Sequence, residues 1–135
     1  MNIAVLEGYV NNPGDLSWDA LESYGTVTVY DRTPRDQLAQ RMADVDVAVS
    51  SKTVWDAEAL GWAPRLKMIA LTSTGYNVVD LDAARARGIV VSNVPAYSTP
   101  DVAQMTFALL LELCLHVGEH SRLVMDGDWT RAKDF

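Results

Sequence analysis

Cysteine, histidine and positive charge are scarce in this sequence: one Cys, two His, and 11 Lys and Arg against 18 Asp and Glu, for a formal net charge of −7 over 135 residues. The lone thiol, Cys114, cannot close an internal disulfide, which fits a reducing cytoplasm. The shortage of cations argues against a nucleic-acid backbone or an anionic membrane as partner, because both draw on clustered Lys and Arg. A small organic anion needs only one local site. No GxGxxG, GxxxxGK or GxSxG string occurs, so the usual signatures of a dinucleotide fold, a P-loop and a nucleophile elbow are missing. The main apolar run, Met105 to Val117, is about thirteen residues, short of the roughly twenty that span a bilayer. Met1-Asn2 leads straight into an apolar strand with no basic segment ahead of it, so export is not expected.

What is present is an ordinary globular composition, 49% hydrophobic and 21% charged, at the length of one domain. Short apolar runs alternate with helix-forming stretches. Strands are expected at Asn2 to Gly8, Thr26 to Asp31, Val45 to Ser50, Leu66 to Leu71 and Ile89 to Val94. Helices are expected at Leu16 to Tyr24 with Asp15 as cap, Arg35 to Ala43 after Thr33-Pro34, Asp56 to Leu60, and Leu81 to Arg87. The alternation predicts an α/β fold: a flavodoxin-like, five-stranded parallel sheet of order 2-1-3-4-5 with helices on both faces.

The stretch Leu66 to Ser98 organises the rest. A strand opens at Thr72-Ser73-Thr74-Gly75-Tyr76-Asn77 into a loop; Asp80 then caps a short helix, Gly88 closes it, and a second strand follows. This βαβ unit gathers its loops at the carboxyl edge of the sheet, where such folds bind ligands. With Gly75 in a backbone conformation closed to other residues, the N–H groups near Thr74, Gly75 and Tyr76 could cradle a carboxylate. A plain strand-to-helix connection accounts for the same residues. The other carboxyl ends deliver Glu7-Gly8-Tyr9, Ser51-Lys52-Thr53 and Asn93 to Tyr97: one lysine, several hydroxyls and a row of amides.

A long helix is expected from Asp101 to Met125, apolar on almost every face in its centre and so buried on more than one side. His116-Val117-Gly118-Glu119-His120 fits the HxxEH string of one zinc-peptidase class. Only Asp126, Asp128 and Asp134 follow as further ligands, so helix-end histidines and no metal are expected. Cys114, without a partner motif, reads as a core thiol.

Ser73-Thr74-Gly75-Tyr76-Asn77-Val78-Val79-Asp80, Gly88-Ile89-Val90-Val91 and Asn93-Val94-Pro95-Ala96-Tyr97-Ser98 together resemble the NAD(P)-dependent D-2-hydroxyacid dehydrogenases. Val102-Ala103-Gln104, Tyr30-Asp31-Arg32-Thr33 and Pro13-Gly14-Asp15-Leu16-Ser17-Trp18 are most similar to their bacterial glycerate dehydrogenase or hydroxypyruvate reductase branch. The resemblance covers essentially the whole chain. It implies a substrate-binding domain over residues 1–100, a connecting helix over 101–126 and a tail over 127–135. It also implies a small 2-oxo or 2-hydroxy carboxylate as substrate and NAD or NADP as cofactor.

By this resemblance Lys52, Ser73, Thr74, Gly75 and Tyr97 bind substrate, and Thr74 also approaches the nicotinamide. The family's cofactor loop, its carbonyl-polarising arginine and its catalytic histidine belong to a Rossmann domain that this sequence does not contain. The resemblance therefore assigns no catalytic residue here; it implies a chain truncated before the cofactor domain, inactive alone and self-associating through residues 101–125. The alternative is a stand-alone module that binds a small carboxylate or a protein.

Overall fold

The structure is a computed structural model that describes residues 1–134. The chain divides into two compact units, Met1–Pro95 and Ala96–Phe135.

The first unit is built on five parallel strands, β1 (Asn2–Val5), β2 (Thr26–Val29), β3 (Val47–Ser50), β4 (Met68–Leu71) and β5 (Val90–Ser92), in the order β2-β1-β3-β4-β5. Each strand is shorter than its apolar run, because burial continues past the ladder, as at Leu6 and Glu7 beyond β1. Between the strands lie α1 (Gly8–Asn11), α2 (Arg35–Met42), α3 (Ala57–Gly61) and α4 (Leu81–Ala86).

Register sorts the side chains onto two faces. Ala4, Ala48 and Ile69 stand side by side on one, where they join Leu38 and Met42 of α2, Ala59 and Leu60 of α3, Ala84 of α4 and the fully buried Trp55 in the main core. The opposite face carries Ile3, Val5 and Val49 under Trp18 and Leu21.

One expectation changes here. Leu16 to Tyr24 is not an α-helix: only Asp19–Tyr24 is helical, as a 3₁₀ segment, and Asp15 caps nothing. With mostly polar residues around Leu21, this stretch cannot form a wide apolar stripe, and the tighter helix needs only one inward residue per turn. Helices do lie on both faces, as expected: α2, α3 and α4 share one, and the 3₁₀ segment covers the other through Leu21. The cause is handedness. Right-handed crossovers put the β1-to-β2 connection, which runs toward one edge of the sheet, on the opposite side from the connections that run toward the other.

Local signals elsewhere behave as read. Asp80 accepts from the Ala83 N–H at 2.9 Å, and Gly88, at φ +70°, ends α4. Asp56 caps α3 through the Ala59 N–H at 2.8 Å.

The second unit contains α5 (Thr99–Leu115), α6 (Val117–Met125) and α7 (Asp128–Arg131). The single helix expected over Asp101 to Met125 is broken. His116 adopts φ 48°, ψ 42°, and the two pieces are bent by 63°. Glu112 explains the break, because its carboxylate accepts from the Gly118 N–H at 3.0 Å and stands in for the carbonyl that a continuous helix would supply. No residue of α5 is buried, contrary to expectation. This 40-residue unit holds no second layer against which α5 could bury a stripe. Cys114 is exposed, not a core thiol, and the tail contains α7. Among the described residues no single helix is long and apolar enough to cross a membrane.

Candidate functional site

At the carboxyl edge of the first unit, the loops after β1, β2 and β4 are tied to one another. Gly8 brings the end of β1 against the end of β2: its N–H donates to Tyr30 O at 2.8 Å, and a Cβ there would lie 2.5 Å from Val29 Cγ1. Only glycine allows that approach. Thr33 Oγ1 donates to Leu6 O at 2.8 Å, and Thr72 Oγ1 donates to Asn11 Oδ1 at 2.8 Å, which links the β1 and β4 loops.

Ser73, Thr74 and Gly75 lie together in the β4 loop. Ser73 Oγ donates to Gly75 O at 2.8 Å, while Thr74 Oγ1 donates to Val94 O at 3.2 Å and Asn93 Nδ2 to Thr74 O at 2.8 Å. Asn93 thus pins the loop from β5, a role the sequence did not distinguish from that of any strand-end Asn. The N–H groups of Thr74, Gly75 and Tyr76 donate to no protein acceptor among the described residues. Three successive free donors at a sheet edge are suited to an anion.

The torsion expected of Gly75 is not found. The glycines in the left-handed region are Gly14, Gly88 and Gly127, with Gly25 at φ 159°, and Gly75 is not among the positive-φ residues. Its constraint is space, since a Cβ would stand 3.2 Å from Asn77 Oδ1. Ser73 Oγ closes the loop on the Gly75 carbonyl.

Lys52 sits on the neighbouring β3 loop, exposed, and lines a cavity with Thr33, Arg35, Leu38, Thr53 and Val54. Arg35 is engaged: it contacts Asp56 at 2.9 Å and Glu58 at 2.8 Å, and the hydrogen bond with Glu58 leads in raising its pKa. The Ala59 N–H, followed by Arg35, lowers that of Asp56. Lys52 has no carboxylate in ion-pair reach among the described residues.

Of the amides expected to gather at this edge, those of Ser51, Lys52 and Thr53 are not open to a ligand, for they point at Glu7. Tyr97 belongs to the second unit, where it is exposed, beside Ala96 at φ 59°. No cluster of His, Cys, Asp or Glu suited to a metal occurs among the described residues.

The sequence matches the family described as D-isomer specific 2-hydroxyacid dehydrogenase, catalytic domain, over residues 4–124. The chain belongs to this family. It is 42% identical to a hydroxypyruvate reductase of Blautia hydrogenotrophica, over 100% of this chain and 43% of that protein. A glyoxylate reductase of Pyrococcus furiosus is 38% identical over 73% of the chain and 30% of its own length. Among solved structures, an acyclic imino acid reductase in complex with NADPH and D-Arg superposes with a TM-score of 0.77 at 25% identity, covering 100% of this chain and 43% of that one. The chain thus spans less than half the length of these relatives. The fold and family read from the sequence both hold.

Proposed function

We propose that these residues form the substrate-binding part of a D-2-hydroxyacid dehydrogenase that interconverts a small 2-oxo acid, of the glyoxylate or hydroxypyruvate type, with its 2-hydroxy acid. The observation that carries this reading is the β4 loop, where three successive N–H groups of Thr74, Gly75 and Tyr76 are left without protein acceptors at the sheet edge. Membership of the family and the names of the relatives support the substrate class.

In this reading the amides hold the substrate carboxylate, the Ser73 and Thr74 hydroxyls fix the loop, and the Lys52 ammonium, unpaired among the described residues, supplies positive charge from the neighbouring loop. Tyr97 is assigned to the substrate side by resemblance alone. NAD or NADP supplies the hydride when bound. The described residues do not fit the whole cofactor, because they include no glycine-rich phosphate loop. Thr74 is assigned to its nicotinamide end by resemblance alone. The cytoplasm suits a chain with a single thiol. Its homo-oligomers would form through the exposed apolar side chains of α5, among them Phe107, Leu110 and Leu113.

The test is a titration of the isotope-labelled chain with D-glycerate. The amide signals of Thr74, Gly75 and Tyr76 should move, and Gly75→Val should abolish the response while the core signals stay in place. No movement at these amides would refute the reading, as would hydroxypyruvate-dependent oxidation of NADH by this chain alone.

A further inference from the structure

Glu7 stands at the end of β1 with 5% of its surface exposed, and no Lys, Arg or His pairs with it among the described residues. Its carboxylate is satisfied wholly by hydrogen bonds from the next strand. Oε1 accepts from the N–H of Thr53 at 2.7 Å, from that of Lys52 at 3.4 Å, from Ser50 Oγ at 3.4 Å and from Thr53 Oγ1. Oε2 accepts from the Ser51 N–H at 3.0 Å. A buried carboxylate is costly unless its lone pairs are filled, and a side chain needed only to fill space would be apolar.

The geometry has a directional consequence. With the amides of residues 51, 52 and 53 all turned inward onto one carboxylate, the loop wraps around Glu7. The far end of the loop is fastened as well, since Trp55 N–H donates to Val78 O at 2.7 Å and Asp80 N–H to Trp55 O at 2.9 Å. Lys52 lies between these two anchors with its side chain exposed and unpaired. We infer that Glu7 is a positioning residue: it holds the 51–53 loop in the one conformation that presents the Lys52 ammonium to a carboxylate seated on the β4 loop. The inference rests on the substrate reading proposed above.

Two measurements on the labelled chain test it: amide hydrogen exchange, and titration with D-glycerate followed at residues 74–76 and at the Lys52 side chain. In the wild type both places should respond. In Glu7→Ala, exchange at Lys52 and Thr53 should quicken about tenfold or more, with protection of the β1 and β4 amides kept. D-glycerate should then bind more weakly by the same factor as in Lys52→Met, and the double variant should be no weaker than either single one. Should Glu7→Ala not fold, Glu7→Gln serves: it keeps an acceptor for Lys52 and Thr53, sets an amide N–H against that of Ser51, and should fall between wild type and Lys52→Met. Unchanged exchange, additive losses, or a Gln variant equal to wild type in both measurements would overturn the positioning role. A wild type that responds at 74–76 with Lys52 silent would overturn it too and leave the substrate reading standing. A wild type that responds at neither place would overturn both.

Discussion

Leu60 and Leu113 are the same side chain on two helices of one chain, yet Leu60 is 0% exposed and Leu113 is 75% exposed. The contrast extends to the units that hold them. Met1–Pro95 places Trp55, Leu6, Leu38 and Met42 out of solvent, while Ala96–Phe135 leaves Phe107, Leu110, Leu111 and Met125 largely wet. Apolar content does not separate the two, since α5 is among the most apolar stretches of the chain. What separates them is a layer to pack against. A sheet with helices laid over it offers every inward residue neighbours, whereas helices in one short segment offer only one another. An apolar residue is therefore evidence of a demand for burial, and the topology decides whether that demand is met.

The sharpest way to probe this difference is to cut a large side chain in each unit. Trp55→Ala should destabilise the first unit by about 3–5 kcal/mol, read as a fall in the urea midpoint. Leu113→Asp should leave that midpoint where it is and should convert a self-associating chain into a monomer in sedimentation. A monomeric wild type would remove α5 as an assembly surface.

Capping offers a smaller test of the same kind. Asp80→Ala removes the side chain that takes up the Ala83 N–H and should cost about 1 kcal/mol of the first unit's stability. Glu112→Ala removes the carboxylate on Gly118. Its effect should be confined to the second unit, as faster amide exchange at Gly118 and Glu119, with the transition of the sheet unchanged. A shift of the sheet transition in Glu112→Ala would mean that the two units do not melt separately.

The smallest effect concerns pH. At the amino edge of the sheet, Asp46 accepts from the Asn2 N–H at 2.9 Å and faces Lys67 at 3.1 Å and Arg65 at 3.5 Å. These donors, the Asn2 amide first and then Lys67, lower its pKa from 3.8 to about 2. The pKa is depressed on folding, so the stability it contributes is present above the unfolded value and is lost as pH falls from near 4 toward 2. Acid titration of the wild type and of Asp46→Asn should show the variant losing less of its stability in that window. The helicity of the second unit should not follow the same titration. Parallel acid curves would remove Asp46 as the cause.

Much of the fold was legible because its rules are local or depend on handedness. Alternating apolar runs marked five strands, Asp80 announced its helix, and Gly88 announced its end. The strand order is one of those that parallel crossovers of one hand allow. The β4 loop was legible too, as small and polar residues after a buried strand, and it was on these residues that the resemblance to the family rested.

What escaped the sequence depends on partners far along the chain or on their absence. Glu7 reads as one more polar strand end, because the amides that fill its carboxylate lie 44 to 46 residues away. At the break at His116, Glu112 reaches past its own helix to Gly118, and in the β4 loop the Ser73 hydroxyl closes on the Gly75 carbonyl. The sequence by itself determined which segments form strands and helices, and their family. Only the tertiary structure decided which apolar faces find cover and which polar groups face inward, because burial and hydrogen-bond satisfaction depend on what packs opposite, and no local pattern records that.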